Sequence, residues 1–212
     1  MASRRNLLIG GIGAAVVAAG GWIAIERFGL LAPATHKTPA KPPLLGNVTA
    51  PKRLVVWGSY TCPFTAQLFV MLRSIVADMP QTASVEWRHF PIHKPDPALQ
   101  VAGLGFEGDH FWGFTFRVLN LVLKAGGMYS GLTRQKLDEF AAAEGGSDET
   151  FKAAYADPAK WAAVKEDLLA GRLLGVTRTP GLFYNGYFLT PTGLPANIKG
   201  LEMSLRKMLQ TA

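Results

Sequence analysis

The chain has a single cysteine, Cys62, set in Ser59-Tyr60-Thr61-Cys62-Pro63-Phe64-Thr65 between an apolar run and a segment of helical spacing. A thiolate is the nucleophile of disulfide exchange, so this sulfur is the first atom whose chemistry must be weighed. If Cys62 caps a helix that starts at Pro63, its sulfur faces the free backbone N–H groups of Phe64 and Thr65. The helix dipole then favours thiolate over thiol. Thr65 is placed to offer a hydroxyl to the same sulfur. The same residues also suit a buried, unreactive cysteine, a common state for a free thiol. Local sequence leaves both readings open.

Other candidate groups carry less. One cysteine excludes an internal disulfide and a Cys-rich metal site. His89 and His93 have the spacing of a metal pair, but a strand running into Pro91 need not bring them together, and no metal is expected. His110, beside Phe111 and Trp112, is expected as a packed helix start, and His36 falls in a Pro-rich stretch. The aromatic cluster Phe106, Phe111, Trp112, Phe114 and Phe116 is expected in the core rather than in a client groove. Hydrophobic residues make up 49% and charged residues 17%, which excludes a disordered chain. The net charge of +7 is scattered, with no basic run interleaved with aromatics, so no nucleic-acid partner is expected.

The elements that would position Cys62 are legible on both sides of it. Arg53-Leu54-Val55-Val56-Trp57-Gly58 suits a buried central strand. After Cys62, Pro63 fits a first helical position, and Leu68, Phe69, Leu72, Ile75 and Val76 recur at helical spacing. Ser84 to Phe90 alternates like a half-buried strand and stops at Pro91. From about Ala98 to Leu174 the pattern is helical, broken at Gly126-Gly127, Gly145-Gly146 and Asp157-Pro158. After Thr179-Pro180, Leu182–Tyr184 and Tyr187–Leu189 flank Asn185-Gly186, a strong hairpin signal. A last helix is expected from about Leu194 to Leu209. The order predicts a mixed α/β sheet whose halves are separated by a helical insertion at about 96–174.

The N-terminus reads as an address. Residues 7–25 are free of charge and preceded by Ser3-Arg4-Arg5, in the manner of a twin-arginine export signal. Each of their glycines would cost about 1 kcal/mol relative to Ala in a soluble helix. Ala32-Pro33-Ala34 offers a small-x-small cleavage site. Residues 1–34 are therefore expected as an export signal, or as an uncleaved anchor that could just span a bilayer. The run at 35–50, with Pro39, Pro42 and Pro43, is expected as a semi-extended tether, and the folded domain at 51–212.

Val55-Val56-Trp57-Gly58-Ser59-Tyr60-Thr61-Cys62-Pro63-Phe64 resembles the active-site stretch of DsbA-like thioredoxin-fold proteins. Phe90-Pro91-Ile92-His93, Phe111-Trp112-Gly113-Phe114 and Gly175 to Gly186 are similar to further segments of that family, in its order and spacing. The resemblance covers about residues 52–210. It implies an α/β thioredoxin fold with a helical insertion, a place in the bacterial envelope, and thiol–disulfide exchange on periplasmic clients. Thr179-Pro180 would match the family's cis-proline, where the Thr179 backbone can pair with an extended substrate strand. Pro63 and Phe64 would complete the active-site motif.

Three positions depart from the family, two within the active-site motif and one in the strand before it. Its C-x-x-C is here Cys62-Pro63-Phe64-Thr65, so there is no resolving thiol. Phe64 stands where a His often helps to hold the thiolate. Val56 stands where the family often buries a carboxylate that moves a proton for the second thiol, an absence coherent with Thr65 in that thiol's place. The function expected is monothiol exchange with protein or glutathione disulfides in the periplasm, the product being soluble after cleavage or tethered by residues 7–25. No cofactor is expected beyond glutathione as co-substrate, and an external thiol must release the adduct. The alternatives are a redox-inactive module that binds partners at the Pro180 edge and, remotely, a glutathione-dependent enzyme or iron–sulfur carrier.

Overall fold

The structure is a computed structural model and describes residues 41–126, 129–190, 193 and 195–211. The expected export signal or anchor at 1–34, and the tether up to residue 40, lie outside the described residues. Among those described, no helix is long and apolar enough to cross a membrane.

Cys62 sits at one end of a five-stranded sheet of order β1-β3-β2-β4-β5. The strands are β1 (Leu44–Gly46), β2 (Lys52–Gly58), β3 (Ala83–His89), β4 (Gly181–Tyr184) and β5 (Tyr187–Phe188). β2 and β3 run parallel, and the other neighbours are antiparallel. A crossover of one helix, α1 (Pro63–Asp78), joins the parallel pair. Between β3 and β4 come α2 (Asp96–Gly103), α3 (Gly108–Lys124), α4 (Arg134–Ala143), α5 (Asp148–Ala156) and α6 (Pro158–Leu173), the expected insertion. The chain closes with α7 (Ile198–Gln210), which starts later than Leu194 because the Asn197 side chain caps it by accepting from Gly200 N at 2.9 Å.

Alternation along β2 explains both layers. Leu54 and Val56 point to a core shared with α1, α3 and α7, whereas Trp57 points to a second cluster with Phe90, Val176 and Phe183, against which Leu168 of α6 packs. On the first face α1 contributes Leu68, Phe69, Leu72 and Ile75, all fully buried, each contributing about 1.5–3 kcal/mol. The aromatic cluster of α3 is core, as expected: Phe111, Trp112 and Phe114 are buried, and Phe116 packs beside Phe69 at 6.4 Å. Asn185 (φ 49°) and Gly186 (φ 79°) turn the hairpin in the left-handed conformations that this turn type requires.

Three expectations change. Leu44–Gly46 pairs with β3 as an edge strand, and Trp87 N donates to Pro43 O at 2.9 Å, so the sheet takes in residues expected to be tether. The Pro-rich composition concealed it, and two leucines are too short a run to register as a strand. β3 is not half-buried: both its faces are covered, because Glu86 and Arg88 pair with each other and Arg88 Nη1 lies 3.1 Å from Asp167 of α6. His110 does begin a helix but is not packed: its side chain is 67% exposed, with Nδ1 3.6 Å from Glu144.

Candidate active site

Cys62 is the N-cap of α1, in extended conformation (φ −101°, ψ 118°), with Pro63 opening the helix. Its carbonyl accepts the first helical bond, from Ala66 N at 3.1 Å. The sulfur does not bond to the helix's own N–H groups. Instead its thiol donates to the Thr179 carbonyl at 3.4 Å, across the sheet end from a distant loop. The Thr179-Pro180 bond is cis, and both residues are buried. Cys62 itself is 3% exposed, while its neighbour Phe64 is 56% exposed. The motif therefore sets a recessed sulfur beside an apolar side chain in solvent.

Thr65 is fully buried, and its hydroxyl oxygen accepts from Ser59 N at 3.4 Å. The expected hydroxyl-to-sulfur contact is replaced by a bond that closes the Ser59–Cys62 turn. Gly58 is required just before that turn: a Cβ there would come within 2.6 Å of the Trp87 ring and 3.0 Å of the Thr65 methyl. Val56 is buried in β2. His89 and His93 part ways, as their spacing allowed. His89 is buried beside Gln100, whereas His93 is exposed and stacks on Tyr129 at 5.2 Å. Among the described residues no group of His, Cys, Asp and Glu could hold a metal.

The residues that hold this site in place were not singled out from sequence. Asp96, at the start of α2, is fully buried beneath the Cys62 turn. Its carboxylate accepts from Ser59 Oγ at 2.5 Å, Tyr60 N at 3.0 Å, Ile92 N at 3.1 Å and Gln100 Nε2 at 3.1 Å. Burial pushes this carboxyl above the ordinary carboxylate range, and its donors pull it back. Gln100 Nε2 also reaches Gly58 O at 3.3 Å, and its Oε1 lies 2.7 Å from His89 Nδ1. The same imidazole nitrogen also accepts from the Trp87 indole Nε1 at 3.1 Å, so the Gln100 amide and the Trp87 indole together fix the ring. On the other side Thr190 Oγ1 donates to Pro180 O at 3.0 Å and accepts from Leu182 N at 2.9 Å, which ties the Thr179-Pro180 loop to the hairpin. Asp96 between two prolines was a visible helix-start signal, but nothing local showed what its carboxylate would meet.

Burial holds the His89 imidazole below the usual histidine value of 6.5, against the opposing pull of Asp167 and Gln100. An unfolded chain protonates His89 as pH falls through that value, and the folded protein does not. This contribution is present above pH 6.5 and is lost on acidification. Asp96, raised, acts with the opposite sign, its contribution being lost as pH rises. Urea midpoints compared at about pH 7.5 and 5.5 should therefore fall on acidification, by on the order of 1 kcal/mol from His89. His89→Gln should flatten that fall, and an equal slope in both proteins would contradict the assignment.

A family model described as Thioredoxin matches residues 38–201. No curated protein matches the chain. Among solved structures, a thioredoxin-like oxidoreductase from Silicibacter pomeroyi is 17% identical with a TM-score of 0.64, covering 81% of this chain and 94% of its own. ScsC of Proteus mirabilis, in a transitional conformation, is 17% identical with a TM-score of 0.59, covering 78% and 72%. The thiol–disulfide exchange protein alpha-DsbA2 from Wolbachia pipientis is 17% identical with a TM-score of 0.60, covering 79% and 87%. At these identities the likeness establishes a DsbA-like thioredoxin fold, and the chemistry of Cys62 rests on its own surroundings.

Proposed function

The chain belongs to the thioredoxin family, and from that premise we propose that it exchanges thiols and disulfides through one sulfur, that of Cys62. The observation that carries this reading is the placing of Cys62 Sγ 3.4 Å from the Thr179 carbonyl at the N-terminus of α1. A client strand that pairs with the Thr179 backbone would bring its own disulfide to that sulfur. The Cys62 thiolate attacks one client sulfur, a Cys62–client disulfide forms, and the other sulfur leaves as a thiolate that takes up a proton. No electrons are gained or lost overall. Release needs a second thiol from outside, glutathione or a protein, because position 65 is Thr.

Incubation with glutathione disulfide, an acid quench and mass analysis test this. Native protein should carry one glutathione on Cys62 and Cys62→Ser none. The recessed sulfur and the exposed Phe64 favour one other reading, a module that holds partners at the Pro180 edge without exchange. That reading takes over if native protein forms no adduct.

The site of action in this proposal is the bacterial envelope, on the strength of Arg4-Arg5 ahead of residues 7–25. Residues 1–50 fused to a reporter active only outside the cytoplasm should give signal, and changing both arginines to lysine should abolish it. A signal indifferent to those changes would discard the twin-arginine route.

A further inference from the structure

We infer that Asp96 is the positioning residue of the Cys62 turn, holding the sulfur against the Thr179 edge for attack on a strand-bound disulfide; this rests on the exchange reading above. Two loops meet at the end of the sheet, one carrying Ser59 to Cys62 and the other Phe90 to Pro95. Backbone pairing joins them only at their roots, where Phe90 N donates to Gly58 O at 2.9 Å. Beyond that point Asp96 is what binds them. It takes Ser59 Oγ and Tyr60 N from the cysteine loop, Ile92 N from the other, and Gln100 Nε2 from its own helix.

All four partners present donors, which suits an ionised carboxylate and no neutral side chain of its size. An asparagine there would turn an N–H₂ group toward at least one N–H. Ser59 Oγ passes the restraint on, accepting from Thr61 N at 3.1 Å, the residue before Cys62. The Cys62 amide closes the same turn on Ser59 O at 3.4 Å. The chain of contacts from Asp96 to the sulfur is therefore two residues long and fully buried. Asp96 touches neither sulfur nor client in this arrangement and acts through the turn.

The role separates from general stability by comparing two reactions of the same sulfur. Exchange with a short peptide whose cysteine is glutathionylated needs the sulfur aligned with the Thr179 edge. Alkylation by iodoacetamide needs only a reachable thiolate. In folded Asp96→Asn, checked by near-ultraviolet circular dichroism, the ratio of exchange rate to alkylation rate should fall about tenfold or more. Ser59→Ala removes one donor and leaves the carboxylate, and should lower the ratio in the same direction by about threefold. It supplies the measurement if Asp96→Asn fails to fold. Native protein that exchanges, with ratios unchanged in the folded variants, overturns the role of Asp96 alone. Native protein that alkylates without exchanging overturns the exchange reading and this inference with it.

Discussion

Native protein treated with a peptide disulfide and quenched in acid should carry a mixed disulfide on Cys62 that survives until thiol is added, and Thr65→Cys should shorten its lifetime by about a hundredfold or more. The reason is effective concentration. Well-oriented groups within one molecule act as though present at about 10⁵ M or above, so even a poorly aligned second thiol outruns millimolar glutathione. Thr65 lies one helical turn on from Cys62, fully buried, at the base of the same turn. A sulfur there would attack Cys62 Sγ, release the client as a thiol and leave an intramolecular disulfide. The exchange costs the Ser59 N to Thr65 Oγ1 bond, about 1 kcal/mol, which the fold can absorb. Non-reducing gels read the result directly. Covalent partners should be present in the native protein, absent in Cys62→Ser and transient in Thr65→Cys. Equal adduct lifetimes in native and Thr65→Cys protein would mean that the missing thiol does not limit release.

The second large effect concerns Trp87. It lies fully buried between the sheet and α1, with Phe69 at 5.0 Å and Tyr60 at 5.3 Å between ring centroids. Its ring occupies the space that Gly58 leaves open below the Cys62 turn. Trp87→Ala should cost roughly 3–5 kcal/mol, since the cavity is walled by sheet and helix and cannot collapse. Against a total of about 5–15 kcal/mol for a domain of ordinary stability, the urea midpoint should drop by roughly a fifth or more. Phe64→Ala, on an exposed side chain, should move it by less than about 0.5 kcal/mol. A Trp87→Ala midpoint as small in its change as that of Phe64→Ala would show that this core is loosely packed.

Both predictions involve residues that the sequence makes visible to different degrees. Cys62 and Thr65 stand out because a cysteine before a proline, at the junction of an apolar run and a helical period, is a pattern written within a few residues. The hairpin at Asn185-Gly186 and the breaks at Gly145-Gly146 and Asp157-Pro158 are local in the same way, since backbone conformation and hydrogen-bond loss are properties of one or two residues. The short apolar run at Arg53–Gly58 likewise declares a strand with two buried faces. These periodic and punctuating signals determine the element order, and the order restricts the fold to a mixed sheet with a helical insertion.

What tertiary structure alone decided is where each polar group goes once the elements pack. The Cys62 thiol could have turned to the amides of its own helix, and the choice of Thr179 O depends on a loop more than a hundred residues away. Asp96 looks like an ordinary first-turn acid until β2 and β3 end beside it and offer Ser59, Tyr60 and Ile92. Glu86 and Arg88 give β3 the appearance of a solvent face, which α6 covers by supplying Asp167. The strand at Leu44–Gly46 has almost no pattern of its own and exists because β3 presents an edge to pair with. In each case the deciding term is the pairing of a buried polar group, and that free energy depends on partners that sequence distance hides.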